Sequence, residues 1–217
     1  MRRRFDPTLY LVTDPALARG RALAGIVAQA VRGGVTLVQL RDKHAGGRAL
    51  LEQAQMLKAM LDPLGVPLIV NDRVDVAHAA EVGCHVGQSD LPAAAARAIL
   101  GRDAILGVSL DEAAQVRAVD PALVDYVAYG PFAATAIKAD AGSPIGADGL
   151  AAVAKRTLLP LIAIGGIDAG NVAPAVRAGA DGIAVVSAIM AATDPEAASR
   201  ELRGAIDATK AEAEKAL

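Results

Sequence analysis

One cysteine, no tryptophan and five aromatic residues in 217 close several classes of protein to this chain. With Cys84 alone there is no intramolecular disulfide framework and no cysteine cluster for a structural zinc site. A reducing cytoplasm is the expected compartment. So few aromatics leave little to stack on bases, and 22 Lys and Arg against 24 Asp and Glu give no bulk attraction to nucleic acid or an anionic membrane. Neither is expected as a partner. No run of about 20 apolar residues free of charges or turn residues occurs, so no membrane-spanning helix is expected. The opening Met1-Arg2-Arg3-Arg4 is followed by Phe5-Asp6-Pro7 rather than by an apolar stretch of signal-peptide length, and residues 1–7 read as a short extension with a solvated start.

What is present is apolar: hydrophobic residues make up 53% of the chain and charged residues 21%, ample for a large core. The length suits one domain better than two. Short apolar runs bounded by Gly, Pro, Asn or Asp recur, each followed by apolar residues at helical spacing. The runs are Leu9–Val12, Thr36–Leu40, Pro67–Val70, Cys84–Val86, Ala104–Val108, Val124–Tyr129, Leu161–Ile164 and Gly182–Val186. Eight alternating units predict a single α/β domain, a (β/α)8 TIM barrel, with a doubly wound open sheet as the alternative. The helical pattern is clearest after the second run, where Leu50, Ala54, Leu57 and Leu61 share one stripe. The Gly- and Ala-rich stretch between Tyr129 and Asp148 lacks periodicity and reads as a long loop at the end of the sixth strand.

In such a barrel the residues just after each strand converge on one mouth. After the second strand, alternation sends Gln39, Arg41 and Lys43 to one side, an amide and two cations suited to a diphosphate. A solvated charged loop is the plainer reading. After the third strand come Asn71 and Asp72, and after the fourth comes Asp90. Each has a plainer use at a helix start, as a cap or a favourable charge. Together, Asp72 and Asp90 follow adjacent strands, where two carboxylates can share a Mg²⁺ ion completed by water and substrate phosphates. Ser109, at the end of the fifth strand, either caps a helix beginning near Asp111 or donates to a ligand. Gly165-Gly166 after strand seven and the backbone at Val186 and Ser187 after strand eight occupy the habitual phosphate site of this architecture. The three histidines, His44, His78 and His85, lack partners at metal-ligand spacing and receive no role; His85 is expected to be packed within its strand.

In that order and at those places, the residues resemble the thiamine-phosphate synthase family. The resemblance runs nearly end to end, from Leu9-Tyr10-Leu11-Val12-Thr13-Asp14 through Gln39–Lys43, Val70–Arg73, His85–Asp90, Gly107–Ser109, Gly130-Pro131 and Lys138 to Ala163–Ile167 and Gly182–Ser187. It implies an enzyme that joins a hydroxymethylpyrimidine diphosphate to a thiazole phosphate, carboxylated or not, with Mg²⁺ as cofactor and these two small molecules as substrates. The implied sites are Gln39, Arg41, Lys43, Asn71 and Ser109 for the pyrimidine diphosphate and Asp72 and Asp90 for the metal. Thr135, Ile137, Gly165, Val186 and Ser187 would take the thiazole phosphate, and Lys138 the diphosphate from its other side. Arg41, Lys43, Ser109 and Lys138 would act on the reacting groups. The loop departs from the family pattern: Ala134 stands where proline is usual and Ile137 where a hydroxyl residue is usual. A thiazole tautomerase-like barrel and a non-catalytic barrel that binds thiamine precursors are the competing readings, and a sugar-phosphate isomerase would need acid and base groups in the mouth.

Overall fold

A computed structural model describes residues 5–135, 137 and 142–215. Eight parallel strands close on themselves in sequence order: β1 (Leu9–Val12), β2 (Leu37–Leu40), β3 (Leu68–Asn71), β4 (Gly83–Val86), β5 (Leu106–Leu110), β6 (Tyr126–Tyr129), β7 (Leu161–Ile164) and β8 (Gly182–Val185). The ring is completed by β8 against β1, with Tyr10 opposite Ala184. All eight expected strands form, within two residues of their expected starts and ends, and the open-sheet alternative is excluded by this closure.

The helices are α1 (Leu23–Arg32), α2 (Gly47–Leu61), α3 (Val74–Ala80), α4 (Ala93–Leu100), α5 (Gly146–Ala154), α6 (Val172–Arg177), α7 (Ser187–Met190) and α8 (Pro195–Lys215). In α2 the buried residues are the predicted stripe, Leu50, Ala54, Leu57 and Leu61. Each of its three leucines contributes roughly 1.5–3 kcal/mol by leaving water. One unit departs from the expected pattern. After β5 the chain forms a 3-10 helix, Ala113–Ala118, opened by a reciprocal capping box between Glu112 and Gln115. Only Val116 of that segment is buried, too little apolar face to support a longer helix.

Two cores result from strand alternation. Leu9, Leu11, Val38, Leu40, Val70, Val127, Ala163 and Val185 face the helices, while Tyr10, Leu37, Ile69, Ile105, Tyr126, Ile162 and Ala184 fill the barrel itself. The amino-terminal segment belongs to the second core: Phe5 packs on Tyr126 with ring centroids 5.6 Å apart. Pro7 lies so close to Gly182 that a Cβ there would stand 2.2 Å from its carbonyl oxygen.

At this amino end, strand starts are tied by one recurrent device. Thr36, Asp125 and Asp181 each accept the first amide of a neighbouring strand, those of Leu9, Leu106 and Leu161, at 3.1, 2.8 and 2.8 Å. Asp125 is also paired with Arg97 of α4 at 2.6 Å, and Arg97 donates further to the carbonyls of Leu123, Gly101 and Ala104.

Candidate active site

At the opposite end, the chain beyond β2 separates the three residues expected to act together. Gln39 lies within the strand, 4% exposed, and its Nε2 donates to the Tyr10 hydroxyl at 2.6 Å inside the barrel. Arg41 and Lys43 remain at the rim. The Arg41 backbone is clasped by Thr13, whose Oγ1 accepts its amide at 2.9 Å and donates to its carbonyl at 3.2 Å, and its guanidinium reaches Asp14 at 3.3 Å. Asp42 Oδ1 accepts the amides of His44 and Ala45, forming the turn that leaves Lys43 exposed. Gln39 therefore belongs to the floor of the site, below the two cations.

The cap readings fail for all three residues to which they were applied. Asn71 is the last residue of β3, partly buried, and neither it nor Asp72 caps α3, which begins without a side-chain cap after Arg73. The helix after Asp90 starts behind Pro92, also without one, and Asp90 Oδ2 instead accepts the Gly87 amide at 2.7 Å. Ser109 lies inside β5, and the capping of the segment beyond it falls to Glu112 and Gln115.

Asp72 adopts φ 60°, in the left-handed region that Asp tolerates better than most residues, and its amide donates to the His85 carbonyl at 2.8 Å. That kink leaves its carboxyl against Asp90. Burial and then the Asp90 carboxyl, through a hydrogen bond and its charge, raise the Asp72 pKa from 3.8 to about 6, while Lys43 and Arg41 pull it back down. Two acids and two cations thus occupy one small volume. Hard oxygen donors that repel each other without a cation between them fit a divalent ion such as Mg²⁺. Among the described residues no group of three or more His, Cys, Asp or Glu is placed to hold a metal. The pair would therefore need water or substrate oxygens to complete the coordination.

Ser109 leads to residues that the sequence reading left without a role. Its Oγ lies 2.8 Å from His85 Nε2, His85 Nδ1 lies 2.9 Å from the Tyr126 hydroxyl, and that hydroxyl lies 2.8 Å from Tyr10, which Gln39 contacts. His85 is packed within its strand as expected, but as a link between polar groups. Burial lowers its pKa to about 4, so the imidazole is neutral at physiological pH, and burial raises both tyrosines well above their ordinary value. The sequence did hold a signal. The alternation that sends Gln39 and Ser109 inward also places Tyr10, His85 and Tyr126 on inward positions, with Gly107 opposite Tyr126 in the register. A Cβ at Gly107 would stand 2.0 Å from the Tyr126 ring.

The ends of β6, β7 and β8 form the third side. Gly165 (φ 93°) and Gly166 (φ 67°) allow the chain after β6 to cross directly over them: a Cβ at Gly166 would lie 2.5 Å from the Ala134 carbonyl oxygen. The Phe132 and Ala133 amides donate to Ile164 and Gly165, which pins that crossing. The glycine pair thus serves loop packing as well as leaving backbone accessible. Thr135 is partly buried and its Oγ1 accepts the Ile137 amide at 3.3 Å; Lys138 lies outside the described residues. Val186 precedes the short helix α7, whose backbone bonds begin with Ile189 and Met190 donating to Val186, so the amides of Ser187 and Ala188 come before them. Ser187 is exposed.

A separate groove of about 660 Å³, lined among others by Leu158, Pro160, Arg177 and Asp181, lies by the starts of β7 and β8 and includes none of these strand-end residues. The interacting acids and cations lie at the mouth, not in this groove. Among the described helices none is long and apolar enough to cross a membrane.

Residues 9–189 match the family model described as thiamine monophosphate synthase. The chain is 56% identical over 207 residues to a thiamine-phosphate synthase of Xanthobacter autotrophicus, covering 95% of this chain and 98% of the relative. It is 47% identical over 209 residues to one of Chloroflexus aurantiacus, covering 96% of each. Among solved structures, thiamine phosphate pyrophosphorylase from Pyrococcus furiosus superposes with a TM-score of 0.86 at 32% identity, covering 94% of this chain and 97% of that one. A 3-hexulose-6-phosphate synthase, at 19% identity and a TM-score of 0.64, shares the fold.

Proposed function

The chain belongs to the thiamine monophosphate synthase family, and we propose that it transfers the pyrimidinylmethyl group of a hydroxymethylpyrimidine diphosphate to the nitrogen of a thiazole phosphate. One observation carries the assignment to this mouth: Asp72 and Asp90 face each other with Arg41 and Lys43 within electrostatic reach. Such a cluster is suited to a diphosphate and a divalent ion. Asp72 and Asp90 would hold Mg²⁺, which when bound supplies positive charge beside the departing diphosphate.

The Arg41 fork and the exposed Lys43 bind the diphosphate oxygens, and Lys138 is assigned to their other side. Gln39, Asn71 and Ser109 hold the pyrimidine. As the carbon–oxygen bond breaks, its electron pair leaves on diphosphate, and the electron-rich pyrimidine carries the resulting benzyl-like cation. The thiazole nitrogen lone pair then forms the new carbon–nitrogen bond; a carboxylated thiazole also loses carbon dioxide. The protein's part is charge stabilisation rather than proton transfer, in keeping with a floor histidine, His85, that is buried and neutral. The thiazole phosphate is received by Thr135, Gly165, Val186 and Ser187, with Ile137 contributing through its backbone. The Ile137 amide already donates to Thr135 Oγ1, which leaves the Thr135 hydroxyl proton for the phosphate. A tautomerase would need neither the paired acids nor the two rim cations. The lone, buried Cys84 suits a reducing cytoplasm, where we place the enzyme.

The test is thiamine phosphate formation by purified protein given both substrates, with Mg²⁺ or with a chelator. Magnesium-dependent product is expected. No product from folded protein at saturating substrate overturns the reaction; product indifferent to chelator overturns the metal assignment alone.

A further inference from the structure

Inside the barrel, below the cations, five polar side chains from five strands are joined end to end: Gln39 (β2), Tyr10 (β1), Tyr126 (β6), His85 (β4) and Ser109 (β5). The links are 2.6, 2.8, 2.9 and 2.8 Å long, each short enough for a full hydrogen bond. The two end members are the ones assigned above to the pyrimidine. The side chains of the three middle members bond to one another and to the two ends, and they have no place in the reaction as written.

We infer that Tyr10, Tyr126 and His85 are positioning residues: they carry a directed hydrogen-bond chain from Gln39 to Ser109 that sets the Ser109 hydroxyl as a donor and the Gln39 carbonyl as an acceptor toward the aminopyrimidine. The identity of that ligand rests on the proposed function. The direction follows from counting protons. Gln39 Nε2 donates to Tyr10 Oη, so the single Tyr10 proton goes to Tyr126. Having accepted there, Tyr126 gives its own proton to His85 Nδ1. A neutral imidazole that accepts at Nδ1 carries its proton on Nε2, and this is donated to Ser109 Oγ. Ser109, already an acceptor within the protein, has its own proton left for the mouth. Gln39, whose amide nitrogen is used inside, keeps Oε1 as an acceptor.

An aminopyrimidine offers the complement, an N–H donor on its amino group and acceptors at its ring nitrogens. A reversed chain would present lone pairs to a ring nitrogen. Packing holds the chain in register: the Tyr10 ring meets Tyr126 edge-on at 5.9 Å, His85 stacks on Tyr126 at 5.5 Å, and Gly107 leaves the space that the Tyr126 ring fills.

The first test needs no substrate. Nitrogen-15 NMR of the His85 ring, assigned in a protein carrying His44→Gln and His78→Gln at two exposed positions, should show a single neutral form protonated at Nε2. A form protonated at Nδ1, or a mixture, overturns the direction. Tyr10→Phe removes the proton that obliges Tyr126 to donate and should release both forms; an unchanged single form overturns the coupling.

The second test is kinetic. Tyr126→Phe should lower kcat/KM for the pyrimidine diphosphate about tenfold and leave KM for the thiazole phosphate unchanged. In a Ser109→Ala protein the same change should add less than about twofold, because its target is gone. Equal losses in both backgrounds would mean that Tyr126 does not act through Ser109. Should the enzyme make no thiamine phosphate at all, the proposed function fails while the NMR result still decides the chain.

Discussion

The two ends of the barrel use the same residue types to opposite effect. At the amino end, Asp125 accepts the Leu106 amide and meets Arg97 at 2.6 Å, with both side chains less than a tenth exposed. At the carboxyl end, Asp72 also has arginine and lysine nearby, yet its pKa is raised to about 6, because burial and Asp90 outweigh them. Around Asp125, hydrogen bonds satisfy the acid and the base together. At Asp72 a negative charge is held beside another of the same sign. The identity of a charged residue therefore says little about its use; what decides is whether its partners neutralise it or leave it in need of a cation.

Several substitutions can break that contrast. The largest effect is expected at the amino end. Asp125→Ala strands Arg97 and the Leu106 amide, and should cost about 3–5 kcal/mol of stability by denaturant unfolding, with little change in kcat for the molecules that remain folded. A comparable fall in kcat would mean that this end is not merely structural. At the carboxyl end the signs should reverse. Asp72→Asn, which keeps a residue tolerant of φ 60°, should lower turnover at least about 100-fold while leaving the melting temperature unchanged or higher, and Lys43→Ala should lose activity to a similar extent. Near-normal rates would remove both residues from the machinery.

Acid sharpens the comparison more gently. Asp72 takes up its proton near pH 6 in the folded protein and near 3.8 ordinarily, so the folded form binds the extra proton between those values. That contribution to stability is fully present below 3.8 and lost as pH rises through 6, and Mg²⁺ should restore it above 6. The same proton competes with the metal: Mg²⁺ affinity, read by titration calorimetry, should fall up to about tenfold per pH unit below 6. A flat affinity from pH 5 to 7 would contradict the pairing with Asp90. The smallest effect is expected at the loop. Ile137→Thr should lower KM for the thiazole phosphate a few-fold by adding one hydrogen bond, and an unchanged value would mean that the side chain at 137 does not reach the phosphate.

Periodicity alone placed eight strands and the α2 stripe, because a parallel strand buried on both faces must be apolar throughout and a covering helix must show one apolar face. It misjudged the segment after β5, where only Val116 is buried and the segment closes as a short 3-10 helix. It also read Asn71, Asp90 and Ser109 as possible caps, since a cap and a ligand have the same composition and differ in direction. Local sequence carries no direction of that kind. His85 was legible as buried but not as bonded, because its partners Tyr126 and Ser109 are 41 and 24 residues away.

The sequence by itself thus determined the architecture, the family and which strand ends carry polar groups, all of which follow from local spacing and the order of short motifs. Tertiary structure alone decided that Gln39 sits below Arg41 and Lys43, that Asp72 faces Asp90, and that Tyr10, Tyr126 and His85 connect Gln39 to Ser109. Barrel closure is the physical reason. It brings strands far apart in the chain within a hydrogen bond of each other, and the energetics of a charge or a hydroxyl depend on what stands at that distance.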